Sequence, residues 1–348
     1  MTTFILFILI LGLIVFIHEF GHFIFAKKAG IHVFEFSLGF GPKLFSFRRK
    51  NDETEYMIKL IPLGGYVALA GEVYDEEDEE LKKIPEDKRL YNKSFLRQLS
   101  VLVAGVFNNF VLGLLLIFII GLIFGTSFTT NELSGLKKDY PLYELGVRDG
   151  DKIIEIDNKK IKNFDDIQTR IAISGGKKTL SIKIKNKNNK IKTYKVKPKY
   201  DKKTKSYYYG ISVKSEEGKG LFSSIKYAFS KFVSIFKSLI IVLASLFTGK
   251  LGINSLSGPV GIYQVVGVAK SSIFSILYLT AYLSINVGFM NILPFPAFDG
   301  GRAFLLIIEK ITKKKVPLKV ESLINEIGFF ILMGLMLFIT VKDVLNLF

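Results

Sequence analysis

The chain has only three histidines in 348 residues. Two of them stand four apart, in His18-Glu19-Phe20-Gly21-His22. On a helix, side chains four apart share a face, so both imidazoles can reach one zinc ion while the carboxylate between them reaches a water on it. Zinc lowers the pKa of such a water toward ~7, and Glu19 would take its proton as the water attacks a peptide carbonyl. The bland alternative is a pair of packed helical histidines beside a Glu at a helix end. The surroundings weaken it: Phe4 to Ala26 is otherwise uncharged, and an ionisable side chain within a membrane span costs a few kcal/mol and is functional by default. The residues from Phe4 to Ile17 make about 21 Å of helix in a hydrocarbon core of about 30 Å. The metal would then lie inside the bilayer, about 9 Å from its cytoplasmic face.

A catalytic zinc needs a third protein ligand and an open position. His32 falls beyond the helix in a Gly-bounded segment and lacks the Gly and His that metzincin spacing requires. Asp299 is better placed, in Asn291-Ile-Leu-Pro294-Phe-Pro296-Ala-Phe-Asp299-Gly300-Gly301. Two prolines break a helix there as it would leave the membrane, and non-helical backbone at that depth is tolerated only where it lines a cavity or is buried in protein. The competing reading is a membrane-exit turn with a solvated Asp.

The elements that must hold these residues are apolar. Phe4–Ala26, Leu99–Phe128, Ile273–Leu293 and Ile327–Val341 each pass or approach the length that crosses a bilayer, about 20 residues. Leu221–Phe247 carries Lys226, Lys231 and Lys237 on roughly one side, which fits a helix lying in the membrane interface better than a span. Lys and Arg flank the inner ends of the spans (Lys27-Lys28, Lys93, Arg97, Arg302, Lys310–Lys319). This bias predicts residues 27–98 and 299–326 in the cytoplasm, with both termini and residues 129–272 outside.

Residues 129–213 read as a small α+β domain, a partly open barrel. A turn at Gly146–Asp151 feeds a short strand. Asn163 caps a short helix with Phe164, Ile167 and Ile171 on one face. Leu180, Ile182 and Ile184 alternate as a half-buried strand, and a turn at Asn186–Asn189 leads to another with Tyr194 and Val196. Glu216–Gly220 reads as a linker, 214–272 as linker plus interfacial helix, and only Asp75–Glu80 is of low complexity.

Composition agrees with this division. Hydrophobic residues make up 49% of the chain, mean hydropathy is +0.34, and the net charge is nevertheless +17. Disorder is excluded by the apolar fraction, and a disulfide scaffold or Cys-based zinc finger by the absence of Cys. The charge invites a nucleic-acid reading, but its location argues against one. Residues 27–97 carry 13 basic and 13 acidic side chains, whereas residues 127–219 carry 23 basic and 12 acidic. The excess therefore belongs to a domain expected outside the cell, where lipid headgroups or acidic substrate segments are its natural partners.

These residues together resemble the site-2 protease family of intramembrane zinc metalloproteases, in its RseP-like bacterial branch with one PDZ domain between the second and third spans. The resemblance runs nearly the whole length of the chain. It includes Gly39-Phe40-Gly41-Pro42, Ile61–Tyr66 with Gly71-Glu72, Ala104-Gly105 leading to Asn109, and Ser257–Ile262. It implies a polytopic α-helical membrane protein of about four spans (1–128 and 273–348), with a membrane-associated β-hairpin and an inserted α+β PDZ-like domain. It also implies that His18, His22 and Asp299 bind Zn2+ and that Glu19 is the base. Asn109 and Asn291 would sit near the scissile bond, and Gly39, Phe40 and Gly41 would lie where an extended substrate adds as a strand. Asn108 and Asn286 read instead as interhelical glue. Val106 stands where the family often has Pro, and Phe298 where Leu is usual; neither removes a reactive atom.

The expected function is regulated intramembrane proteolysis of single-span proteins, such as an anti-sigma factor, or of signal-peptide remnants. The protein would act as a monomer in a bacterial cell membrane, with a transmembrane protein or peptide as substrate and no nucleic-acid partner. A catalytically inert scaffold binding partners through its PDZ-like domain is the alternative.

Overall fold

The computed structural model describes residues 1–72, 79–176, 178–201, 206–252 and 255–345. The acidic run from Asp75 lies outside these as far as Asp78. The chain forms two compact units, one of residues 1–116 and 257–348 and the other of residues 117–256.

In the first unit, α1 (Thr2–Lys28) runs through the whole first apolar stretch and stops where the sequence supplies a glycine. Gly30 takes a φ of +67°, and the amide of Ile31 returns to the carbonyl of Ala26 at 3.0 Å. This wrap satisfies carbonyls that a helix end would otherwise leave bare. Two long bent strands follow, β1 (Val33–Arg48) and β2 (Glu55–Leu69). They are more than a hairpin. The first half of β1 pairs on one side with the end of β2 (Ser37 opposite Tyr66) and on the other with its beginning (Ser37 opposite Met57). The second half of β1 closes back on the beginning of β2, Phe45 opposite Ile58. Two strands thus make four antiparallel rows, with β1 bent at Gly39 and Gly41, whose φ values are +89° and +83°. Phe16, Phe20 and Phe23 of α1 pack this sheet around Phe36, Val67 and Leu69.

After the short helix α2 (Glu79–Lys83), α3 (Phe95–Phe124) begins in this unit and continues into the second. It lies close against α1 because small residues meet. A Cβ on Gly21 would stand 2.5 Å from the carbonyl oxygen of Ala104. As expected of interhelical glue, Asn108 donates to the carbonyl of Ile17 at 3.3 Å.

The second unit continues with β3 (Thr126–Leu133), α4 (Pro141–Glu144), β4 (Lys152–Ile156), β5 (Lys159–Lys160), α5 (Phe164–Ile173), β6 (Leu180–Lys185), β7 (Ile191–Val196), β8 (Lys199–Asp201), β9 (Ser206–Tyr208), β10 (Val213–Gly218) and α6 (Leu221–Phe247). The main sheet has the order β10-β3-β4-β6-β7, with β5 on β4. Its core holds Leu133, Leu142, Val147, Ile153, Ile167 and the alternating Leu180, Ile182 and Ile184. The amide of Asp166 bonds Oδ1 of Asn163 at 3.0 Å, the expected cap.

Three sequence expectations shift here. Residues 126–128 belong to β3 rather than to the end of a span. Glu216–Gly218, read as linker, is the end of β10, paired with β3. The charged and glycine-rich composition suggested a loop, but an edge strand needs only its backbone groups. The third concerns α6. Its Lys231 bonds both carboxylate oxygens of Asp165 at 2.9 Å, and its Lys237 reaches Asp166 at 2.5 Å. The polar side of this amphipathic helix therefore faces the inserted domain, while Phe222, Phe229 and Val233 are exposed.

The first unit resumes with α7 (Pro259–Ala269), α8 (Ile273–Asn291), α9 (Asp299–Thr312) and α10 (Leu318–Leu345). Among the described residues five helices are long and apolar enough to cross a membrane, namely α1, α3, α6, α8 and α10, against the four spans expected. Phe7, Ile10 and Ile14 of α1 pack with Leu112, Val266 and Leu283 from α3, α7 and α8. Ser257–Ile262 finds its purpose at the start of α7. Oδ2 of Asp343, on α10, accepts from the amides of Gly258 at 2.7 Å and Gly261 at 3.1 Å.

Candidate metal centre

His18 and His22 project from one face of α1, as their spacing requires. Their Nε2 atoms lie 3.3 Å apart. The segment between α8 and α9 brings Asp299 to them across the sequence: Oδ2 is 3.1 Å from Nε2 of His18 and 3.3 Å from Nε2 of His22. Among the described residues this is the one group of three His, Cys, Asp or Glu side chains gathered tightly enough to hold a metal ion.

The turn that delivers Asp299 is built by its neighbours. Pro294 and Pro296 end the helical path, and Ala297 takes a φ of +71°, a left-handed conformation costly for a residue with a Cβ. Oδ1 of Asn325 accepts from the amide of Ala297 at 3.2 Å. Gly300 and Gly301 let the first turn of α9 fold directly onto this segment. A Cβ on Gly300 would stand 2.5 Å from the carbonyl oxygen of Leu293, and one on Gly301 2.8 Å from the carbonyl carbon of Phe295. One turn along α9, Arg302 is clamped by Glu72, with Nη1 to Oε1 at 2.5 Å and Nη2 to the backbone carbonyl at 2.8 Å, and by Oε1 of Glu321 at 3.3 Å. This bracket fixes the rotation of α9 and hence where Asp299 points.

The three donor atoms fit zinc. Tetrahedral coordination with bonds of about 2.0–2.1 Å places ligand atoms about 3.3 Å apart, which is the spacing found here. Oδ2 of Asp299 is buried and takes no hydrogen bond of good geometry. A buried carboxylate oxygen held against two imidazole nitrogens is the arrangement a divalent cation resolves.

The outer contacts come from α3. Nδ1 of His22 lies 2.8 Å from the carbonyl oxygen of Val101. Nδ1 of His18 lies 3.1 Å from the side-chain amide of Asn109, which is fully buried. Gly105, midway between them, lies directly against both rings. Residues 101, 105 and 109 form one face of α3, so Ala104-Gly105 leading to Asn109 marks the helix that backs the histidines. No residue type announces the contribution of Val101, because it is a backbone carbonyl.

The other expected site residues are distributed as follows. Glu19 lies where the end of β2 passes α1; a Cβ on Gly65 would stand 3.4 Å from its Cγ. Asn109 meets His18, with its side-chain amide 3.1 Å from Nδ1 of the ring. Asn291 closes α8, half-buried, and among the described residues no hydrogen bond holds its amide. Gly39, Phe40 and Gly41 lie at the bend of β1, with Phe40 opposite Ile61. The row that passes Glu19 is Gly65–Leu69, whose outer edge is paired with no strand among the described residues. His32 is not part of the centre; its ring packs on Phe34, and its backbone bonds Lys88 and Ala70. Glu72, Arg302, Glu321 and Asp343 were not singled out for these roles. Asp343, an acid near the end of the apolar stretch of α10, carried the signal that such residues have a partner.

Apolar helices of spanning length, a His-Glu-x-x-His helix and an aspartate that completes a zinc-sized triangle define the class: a multi-pass membrane metalloprotease. The profile of peptidase family M50 matches residues 6–335, and the chain belongs to this family, the site-2 proteases. It is similar to a candidate zinc metalloprotease of Clostridium acetobutylicum, with 36% identity over 339 residues that cover 97% of this chain and 96% of the relative. A candidate zinc metalloprotease of Clostridium perfringens is also 36% identical, over 335 residues covering 95% of each chain. The zinc metalloprotease RasP of Bacillus licheniformis is 31% identical over 422 aligned positions that span both chains completely. The protein is a zinc-dependent membrane protease.

Proposed function

We propose that this enzyme cleaves single-span membrane proteins or signal-peptide remnants within the bilayer, by hydrolysis with Glu19 as base. The observation that carries the reading is the triangle of His18, His22 and Asp299, whose histidines stand on a helix apolar enough to span. Zinc held there supplies a Lewis acid that polarises a peptide carbonyl and acidifies water. Glu19, next to His18 on the same helix, accepts the proton of the attacking water and returns it to the departing amide nitrogen. A helical substrate hides its carbonyls, so it must be extended first. The outer edge of Gly65–Leu69, beside Glu19, offers backbone groups with which an extended segment can pair. In this reading Gly39–Gly41 shape the bend that aims this sheet, and the amide of Asn291 is available to hold a substrate carbonyl.

The inserted domain, PDZ-like in its two short helices and short strands, lies outside the cell and admits substrates already trimmed there. The cytoplasmic product is a fragment such as an anti-sigma factor. The enzyme acts as a monomer in a bacterial plasma membrane, without nucleic acid. The test pairs zinc analysis of the purified protein with cleavage of a single-span reporter. Glu19→Gln abolishes cleavage and leaves one zinc per chain. Undiminished cleavage by that variant overturns the assigned base, and wild-type protein that retains zinc but cleaves no reporter favours a scaffold.

A further inference from the structure

We propose that Asn109 is a positioning residue for the metal centre: its carboxamide oxygen accepts the Nδ1 proton of His18 and fixes the tautomer that leaves Nε2 free for the metal. The inference rests on the zinc reading above and assigns Asn109 away from the substrate.

The argument begins with two atoms of one side chain. Nδ2 of Asn109 lies 3.1 Å from Nδ1 of His18, while Oδ1 is buried without any hydrogen-bond partner. An amide nitrogen only donates, so in that orientation Nδ1 would have to accept, and the ring proton would sit on Nε2. Nε2, however, is the atom aimed at Asp299 and at Nε2 of His22. A proton there blocks coordination, because a metal-binding imidazole is neutral and offers a lone pair. The two ends of a carboxamide are nearly isosteric, and the surrounding network decides which end faces a partner. With the amide turned half a revolution, Oδ1 stands at Nδ1 and receives its proton. The turn exchanges the two ends, so one buried end stays unpaired either way, and the tautomer the metal requires decides which end faces His18.

His22 provides the internal comparison. Its Nδ1 faces the carbonyl oxygen of Val101 at 2.8 Å, an acceptor by nature, so its proton must lie on Nδ1 and its lone pair on Nε2. Both histidines then share one tautomer, set by two acceptors on the same face of α3. One acceptor is backbone and cannot be removed by substitution; the other is Asn109. Its own position is held by the hydroxyl of Ser284, which donates to the Asn109 carbonyl at 2.8 Å. Metal-ligating histidines commonly give their second N–H to such a partner, and its loss typically costs 10–100-fold in metal affinity.

The experiment measures zinc affinity of the purified full-length protein by competition with a chromogenic chelator, without reference to cleavage. Asn109→Leu, similar in size and without an acceptor, binds Zn2+ on the order of 10–100-fold more weakly than wild type. Asn109→Asp, which can only accept when ionised, stays within a few-fold of wild type. Melting of the metal-stripped proteins confirms that the variants are folded, and Asn109→Ala is the second acceptor-free variant should Leu not be accommodated. Wild-type affinity in the acceptor-free variants overturns the inference, as does Asn109→Asp binding as weakly as they do. Wild-type protein that holds no zinc, or whose zinc survives His22→Ala, overturns the metal reading and this inference with it. The two failures are thereby distinct.

Discussion

Gly105 faces His18 so closely that a Cβ built on the glycine would stand 2.7 Å from Cε1 and 2.8 Å from Nε2 of the imidazole, and closer still to Nε2 of His22. The histidines occupy the space that any other residue on α3 would need. Real Cβ contacts are not this short, so a larger residue must displace the metal-binding nitrogens themselves. The geometry of three ligand atoms about 3.3 Å apart does not survive a shift of that kind.

Gly105→Ala is therefore expected to lose zinc and activity together, each on the order of 10–100-fold or more. Gly12→Ala, on the same α1 that carries the histidines, is the contrasting variant. Nothing lies within 4 Å of its added methyl, and helical Gly→Ala is neutral or stabilising by roughly 0.5–1 kcal/mol. Zinc stoichiometry and reporter cleavage, measured on both, check the pair.

Arg302 acts one step further out. Its guanidinium joins the Glu72 side chain and carbonyl to Glu321, and it stands three residues after Asp299 on α9. Arg302→Met leaves two carboxylates facing each other without their counter-charge, a loss of about 3–5 kcal/mol for a buried pair. Reduced thermal stability and weaker zinc retention are expected together. Arg302→Met combined with Glu72→Gln and Glu321→Gln recovers part of the stability, because no charge is then left unpaired. Melting curves of the single and triple variants decide the point.

Much of the centre was legible because it depends on local spacing. The interval between His18 and His22 implies a shared helix face, and the two prolines before Asp299 imply a broken helix at membrane depth. The cap at Asn163 and the alternation of Leu180, Ile182 and Ile184 are equally local. What escaped depends on distant partners. The double pairing of β1 requires knowing that Gly39 and Gly41 bend the strand enough for β2 to flank it on both sides. Lys231 and Lys237 read as the polar side of an interfacial helix, and only the fold brings Asp165 and Asp166 against them. The contact of Asn109 escaped for the same reason: its residue type marks it as important, while only packing shows that it faces a histidine.

Asp343 offers a test on the far part of the first unit. One of its oxygens takes both the Gly258 and the Gly261 amides, at the start of α7. Those two amides are among the four that a helix start leaves without internal partners. Asp343→Ala is expected to cost about 1–3 kcal/mol, read as a lower melting temperature in detergent, with zinc content unchanged in the remaining folded protein. Asp343→Asn, which keeps one acceptor, falls between. Equal stability of the Ala variant and wild type would show that α10 does not hold α7.

The last prediction concerns acid. Asp52 receives the Lys27 ammonium at 2.8 Å, the Tyr56 hydroxyl at 2.8 Å and the Thr54 amide at 3.1 Å. The Lys27 ammonium, first among these, holds the Asp52 carboxyl well below the usual carboxylate range. A group whose folded pKa is depressed adds stability above its unfolded pKa, about 3.9 for Asp. That stability declines as pH falls below this value toward the folded pKa. The tie between the end of α1 and the turn before β2 is thus fully formed at neutral pH and fails in acid. Asp52→Asn keeps the shape but not the charge, so it is expected to be less stable than wild type at pH 7 by about 1 kcal/mol or more. The difference should shrink as the wild type is titrated below about pH 4. Melting temperatures of the two proteins across that range test the assignment, and a gap that stays constant with pH rules it out.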